Sequence, residues 1–88
     1  MLLQPLRKKN LNNGQIYMKM RKRLLEATRE HLKSHVTKHI TNVEVMLANP
    51  IAIPEHTDIM AAIEAELAHI SDYHDKLEVL EHYFKNEQ

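Results

Sequence analysis

Histidines are the residues of this chain whose type and spacing suggest metal chemistry. His31, His35 and His39 are spaced four apart, and residues at that spacing lie in a row along one face of a helix. Two histidines at i and i+4 have the spacing of zinc ligands. The row contains no carboxylate, however, and the chain has no HExxH motif. Solvated or interface histidines are therefore the better interpretation of the row.

A second metal hypothesis rests on Glu66 and His69, which form an ExxH motif. A dimer would present this motif twice, as in di-iron carboxylate bundles, but such bundles also need a glutamate from each remaining helix. The expected register places Val36, Thr37 and Ile40 there instead. A single glycine and the absence of cysteine exclude a phosphate-binding loop and a thiol nucleophile. We therefore predict no metal site, no cofactor and no catalytic residue.

Basic residues are concentrated in the first half of the chain. Residues 1–49 contain ten Lys or Arg and three Glu, whereas residues 50–88 contain two Lys and nine acidic residues. Such asymmetry indicates either a nucleic-acid-binding surface or two segments that neutralise each other, and both interpretations remain open at this point. The candidate phosphate-binding residues are Lys8, Lys9, Lys19, Arg21, Lys22, Arg23, Arg29 and Lys33.

The elements that must position these side chains are two helices. Apolar residues with a helical period predict a first helix over about residues 15–48, and a second over about 55–86. Pro50 and Pro54 predict a loop over 49–54, because proline cannot extend a helix. Residues 1–13 are predicted to be a flexible tail, and residues 14–88 to be the hairpin.

A short connection predicts an all-α antiparallel hairpin. Two apolar stripes facing each other still leave apolar edges in water, so we expect a homodimer that forms a four-helix bundle, since two-fold dimers are the commonest oligomers. The residues expected in the core or the interface are Leu25, Leu32, Val36, Val43, Ile63, Ile70, Leu77 and Phe84.

Four polar residues fall on or beside these stripes and are expected to fix the register: His39, Glu66, His74 and Glu81. Folding about residues 52–54 brings His39 near Glu66, places His74 opposite Leu32, and sets Glu81 within reach of Arg21 and Lys22. Buried polar groups are tolerated when they are paired, and polar positions of this kind fix register in coiled coils.

Residues 17–84 resemble small helical proteins of T4-like phages that are associated with the recombination helicase UvsW. The resemblance rests on the segment NPIAIPEHTD at residues 49–58, between the helical stretches HLKSHVTKHITNVEVMLA and IMAAIEAELAHISDYHDKLEVLEHYF. It implies a role in phage DNA recombination or repair through contact with the helicase or with DNA. Helicase activity does not carry over, because the chain has no GxxxxGK[ST] motif.

The sequence thus favours a non-enzymatic interaction module whose partners are a second copy and DNA or a helicase. The alternative is a structural or protein-binding hairpin without nucleic-acid contact, and a third hypothesis is a His/Glu metal-binding protein. No stretch has the roughly 20 apolar residues of a membrane span, and the first residues do not resemble a secretory signal. We therefore expect no membrane contact and a cytoplasmic location, which is the host cytoplasm if a phage encodes the chain.

Overall fold

The computed structural model describes residues 12–49 and 58–85, which form two α-helices and no strand. Helix α1 spans Asn13–Ala48 and helix α2 spans Ile59–Tyr83. The predicted all-α hairpin is confirmed, because the two helices pack against each other along their length. Residues 1–11 of the predicted tail, including Lys8 and Lys9, and the predicted loop beyond Asn49 lie outside the described residues. Within the described part, neither helix is both long and apolar enough to cross a membrane.

A capping box starts α1 two residues earlier than predicted. The Asn12 side chain accepts a hydrogen bond from the Gln15 backbone N–H (2.7 Å), and the Gln15 side chain accepts one from the Asn12 N–H (3.0 Å). These reciprocal bonds satisfy N–H groups that have no partner within the helix. The prediction that Asn12 and Asn13 belong to a tail is therefore wrong.

Helix α2 is shorter than predicted at both ends. Asp58 has a non-helical backbone, and its carboxylate accepts a hydrogen bond from the Ala61 N–H (3.0 Å), so it caps the helix. Phe84 also has a non-helical backbone and ends the helix, although its N–H still donates to the Leu80 carbonyl (2.9 Å). The expected bounds of about 55 and 86 are therefore wrong by several residues.

The seam between the antiparallel helices buries few side chains. Leu32 and Leu80 are buried on opposite helices, and His39 is the one polar residue among the described residues that is equally buried. The other predicted core residues of the two helices are half-buried: Leu25, Val36, Val43, Ile63, Ile70 and Leu77. Phe84 follows the last residue of α2 and is 48% exposed, so it is not buried within the single hairpin, and its expected place in an interface stays a prediction.

Large apolar side chains remain in contact with water along both helices. A pair of helices encloses side chains only along one line of contact, so the flanks of each apolar stripe stay open. The exposed apolar residues that the stripes contribute include Met18, Ile40, Leu47, Met60 and Leu67. The described hairpin is thus an incomplete packing unit.

Replacing Leu32 with Ala tests the importance of the seam. Leu32 is 7% exposed, so the truncation removes buried apolar contacts and should lower the free energy of unfolding by about 2–4 kcal/mol. Leu24→Ala is the matched control, because Leu24 is 62% exposed on the same helix and should change stability by less than about 0.5 kcal/mol. Urea denaturation at one protein concentration measures both, and equal losses would contradict this packing.

Candidate functional site

A polar layer of His39, Asn42 and Glu66 crosses the seam between the helices. Glu66 Oε1 of α2 lies 2.6 Å from His39 Nδ1 and accepts a hydrogen bond from Asn42 Nδ2 (3.1 Å). Because an ionised carboxylate can only accept, the Nδ1–H of His39 is the donor. The predicted proximity of His39 and Glu66 is therefore observed, and the layer gives a largely buried carboxylate two donors from the opposite helix.

These donors hold the Glu66 carboxylate in its charged form. The hydrogen bond from His39, followed by the one from Asn42, lowers the pKa of Glu66 below its ordinary value, while partial burial acts in the opposite direction. His39 and His69 also lower it through their charge when protonated. The polar layer is thus a charge-assisted contact, and such contacts are stronger than neutral hydrogen bonds.

Stacked rings close one edge of the seam beside the polar layer. The His35 ring stacks on Tyr73, with centroids 4.2 Å apart and planes 8° from parallel. The His39 ring stacks on His69 at 4.5 Å and 17°. Lys76 Nζ lies 5.0 Å from the centroid of the Tyr73 ring, within the range of a cation–π contact. One edge of the hairpin is therefore lined by aromatic and imidazole rings from both helices.

His35 is held in its neutral form by this packing. Its Nδ1 is buried and has no hydrogen-bond partner among the described residues. Burial lowers the pKa of His35, and the neighbouring His31, Lys38, His39 and Lys76 lower it further in that order. Protonation would place a new charge among cationic neighbours.

The remaining polar pairs depart from the predicted register toward the open end of the hairpin. Glu81 pairs with Arg29 and not with Arg21 or Lys22, because the long Arg29 side chain reaches the carboxylate across the hairpin. Arg21 donates instead to the Lys85 carbonyl (3.3 Å).

His74 does not face Leu32 as predicted. Its side chain is exposed, and its Nε2 lies 3.8 Å from Glu78 on the same helix. Tyr73, Leu77 and Leu80 take the face of α2 that packs on α1, because they are less exposed and carry the apolar surface. The assignment of His74 to a register-fixing pair across the seam is therefore wrong.

The basic segment, which we define as Lys19, Arg21, Lys22 and Arg23, lies in the second and third turns of α1. Lys19, Lys22 and Arg23 are exposed, and no carboxylate of the described residues forms an ion pair with them.

Two further candidate cations have carboxylate partners. Arg29 is paired with Glu81 across the hairpin, and Lys33 Nζ lies 3.9 Å from Glu30 on its own helix. Of the predicted phosphate-binding residues that the structure describes, Arg29 and Lys33 thus have carboxylate partners and the members of the basic segment have none among the described residues.

The histidine row and the ExxH motif meet where His39 contacts Glu66 and His69, but the described residues do not form a metal site there. Among residues 12–49 and 58–85, no three His, Asp or Glu side chains are arranged to hold a metal ion. His39 and Glu66, one from each proposed ligand set, bind each other instead.

Several residues of this site have roles that sequence reasoning did not assign. Asn42 was not singled out, although it follows His39 by three residues, the spacing that places side chains on one helix face. The sequence indicates His69 only as a metal ligand and gives no role to Tyr73, whereas both stack on histidines of α1. The sequence feature that indicates a polar layer is a pair of polar residues at i and i+3 in each helix: His39 with Asn42, and Glu66 with His69.

Comparison of the chain with protein-family models, curated proteins and solved structures finds no match. The resemblance of residues 17–84 to helicase-associated phage proteins therefore stays a prediction. The function is inferred below from the geometry and the charges of the hairpin.

Replacing Glu66 with Gln tests the polar layer. The substitution removes the charge that His39 and Asn42 stabilise, and should lower the free energy of unfolding by about 1–3 kcal/mol at pH 7. Because the pKa of Glu66 is lower in the folded protein than in the unfolded chain, its contribution is complete above the unfolded value. The contribution is lost as the pH falls through the folded value.

The difference between wild type and Glu66→Gln should accordingly shrink in acid, as followed by urea denaturation from pH 7 to pH 3. Glu64→Gln is the control, because Glu64 is exposed two residues away. A difference that does not depend on pH would contradict the role of the charge.

Titration of His35 by NMR tests the ring stack. The midpoint should lie below the ordinary histidine value of 6.5, because burial and cationic neighbours oppose protonation. In the unfolded chain the group binds its proton at higher pH, so its neutral burial destabilises the fold as the pH falls below 6.5. Tyr73→Ala should raise the midpoint toward 6.5 by uncovering the ring, and a wild-type midpoint at or above 6.5 would refute the packing.

Proposed function

We propose that the chain is a non-enzymatic interaction module that contacts the phosphate backbone of nucleic acid through the basic segment of α1. The observation that carries the proposal is that Lys19, Lys22 and Arg23 are exposed and have no carboxylate partner among the described residues. Exposed, clustered cations bind phosphates by displacing the counterions of nucleic acid.

The described acidic residues of α2 form no ion pair with Lys19, Lys22 or Arg23. Two carboxylates in the neighbouring half of α2 have other contacts: Glu81 pairs with Arg29, and Glu78 lies 3.8 Å from His74 of its own helix. Among the described residues, intramolecular pairing thus involves Arg29, whereas three side chains of the basic segment have no carboxylate partner.

Binding through this segment is expected to be independent of base sequence. Lysine and arginine on an exposed helix face position a protein on phosphates, whereas sequence is read through base edges or stacking. Tyr17 is the one aromatic residue within α1 and is 64% exposed next to the segment. One ring provides little stacking surface.

A role in phage DNA recombination or repair, through DNA or a helicase partner, is the biological setting that the resemblance of residues 17–84 suggests. The support from the hairpin is indirect: its unpaired cations suit a phosphate backbone, and its exposed apolar residues suit a protein partner. Both contacts are those of an accessory protein.

Fluorescence anisotropy with single-stranded, duplex and forked DNA tests the proposal. Wild type should bind, and the binding should weaken steeply as salt is raised. Lys19→Ala/Arg23→Ala should bind at least tenfold more weakly and reduce the salt slope by about 2, because two phosphate contacts are lost.

Lys38→Ala/Lys76→Ala is the matched control, since it removes two exposed cations from other positions. Loss of affinity equal to that of the first variant would indicate a general charge effect. Absence of binding at low salt would overturn the proposal and favour a hairpin that binds protein alone.

That second candidate, a protein-binding or oligomerising hairpin without nucleic-acid contact, is favoured by a different observation. Ile40, Leu47 and Leu67 lie on the apolar stripes and are largely exposed. Burying such side chains against a partner is favourable in proportion to the apolar area removed from water.

A further inference from the structure

One side of the hairpin carries a continuous apolar surface near the end where the helices are connected. The contacts of His35 with Tyr73 and of His39 with His69 place the ring stack on one side of the seam. On each helix, the apolar stripe residues on the flank away from the stacked rings therefore lie on the other side of the seam. We call this surface the apolar face; it consists of Val36, Ile40 and Leu47 of α1 with Ile63, Leu67 and Ile70 of α2.

The pairing of Arg29 with Glu81 supports this assignment. Arg29 precedes Val36 by seven residues, or two turns, and Glu81 follows Ile70 by eleven residues, or three turns. Each charged residue thus continues one row of the apolar face toward the open end of the hairpin. Their contact shows that the two rows lie on the same side of the molecule.

The apolar face is poorly covered within the described hairpin. Leu47 is 60% exposed and Leu67 is 51% exposed, while Val36, Ile63 and Ile70 are half-buried. Toward the open end the same side becomes charged: α1 presents Lys22 and Lys33, and α2 presents Glu78. Apolar and charged halves therefore follow each other along one side of the hairpin.

The two helices also carry opposite charge. Helix α1 contains seven Lys or Arg and three Glu, whereas α2 contains one Lys and six Asp or Glu. A partner that places an acidic helix over α1 and a basic helix over α2 would complement both. A second copy of the hairpin has those two helices at the same spacing.

We infer that the apolar face binds a second copy with both connected ends on the same side of the dimer, so that α1 of each copy lies over α2 of the other. Two hairpins packed face to face with aligned helices have two twofold arrangements. In the arrangement that we infer, the apolar half of one copy packs on the apolar half of the other. Lys22 and Lys33 of each copy then approach the partner's acidic helix α2.

In the other twofold arrangement the connected ends lie at opposite ends of the dimer. Both the charges and the apolar surface disfavour it. It places α1 over α1 and α2 over α2, so helices of like charge face each other. It also places the apolar half of each copy over the charged half of the other, which would bury Arg29 and Glu81 against apolar side chains. Charge and apolar surface thus select the same arrangement.

Distances between spin labels test the arrangement directly. The chain has no cysteine, so Ala48→Cys and Asn13→Cys, at opposite ends of α1, each introduce one labelling site on an exposed residue. In the proposed dimer both label pairs should be about 15–35 Å apart, because helices of a bundle lie 8–10 Å apart and the label tethers add to the diagonal. With opposed ends and full overlap both distances should be about 50 Å, the length of α1.

Substitutions on the apolar face test the surface. Leu67→Asp should weaken self-association at least tenfold in sedimentation equilibrium, and circular dichroism should show that helicity is retained. Val79→Asp is the matched control, because Val79 is 43% exposed on α2 but lies outside the apolar face; it should leave the dimer intact.

A monomeric wild type, label distances near 50 Å, or equal effects of Leu67→Asp and Val79→Asp would each overturn the inference. A monomer would leave the apolar face to a different protein. These measurements contain no nucleic acid and spare the basic segment, so their failure is separable from failure of the phosphate-binding proposal.

Discussion

Two helices that pack side by side meet along a single line, and every other feature of this molecule depends on that constraint. The line buries Leu32 and Leu80 and little else that is apolar. The remaining stripe residues are half-buried or exposed, because no third element covers the flanks of the seam within the described residues. Covering these flanks would remove further apolar surface from water, which is favourable in proportion to the area covered.

The polar layer occupies part of the seam that apolar side chains could otherwise fill, but it gives the hairpin a defined register. Apolar stripes alone permit one helix to slide by a turn, since leucine and isoleucine recur along both. A slide of one turn would separate Glu66 from His39 and Asn42 and leave a carboxylate in the seam without donors. An unpaired polar group in such a place is unfavourable by an amount comparable to a hydrogen bond or more. The layer thus selects one alignment among several of similar apolar contact.

The arrangement divides the surface of the hairpin by chemistry. One side holds the ring stack, the other holds the apolar face and its charged continuation, and the basic segment occupies the exposed surface of α1 near its start. Phosphate binding through Lys19 and Arg23 and self-association therefore use different side chains, whereas Lys22 approaches the partner in the inferred dimer. In the dimer we infer, both basic segments lie at the same end of the molecule, which would present two groups of cations to one nucleic acid.

The sequence by itself determined the fold class, because apolar residues recurred with a helical period on both sides of a proline-containing segment. It also determined that His39 and Glu66 lie close together, since two side chains near the connection have little freedom once the hairpin is assumed. Helix ends were less accessible: the caps at Asn12 and Asp58 depend on backbone conformation and on single hydrogen bonds.

Only the tertiary structure decided which charges are paired and which rings stack. Long side chains reach a turn up or down the neighbouring helix, so residue numbers alone could not show that Glu81 pairs with Arg29. Nor could they show that three cations of the basic segment have no carboxylate partner within the described residues. The stacking of His35 on Tyr73 and the exposure of His74 depended likewise on the rotation of each helix about its axis. A rotation that moves a side chain from the seam to its edge is too small for a periodic pattern to resolve, because residues on an α-helix are 100° apart.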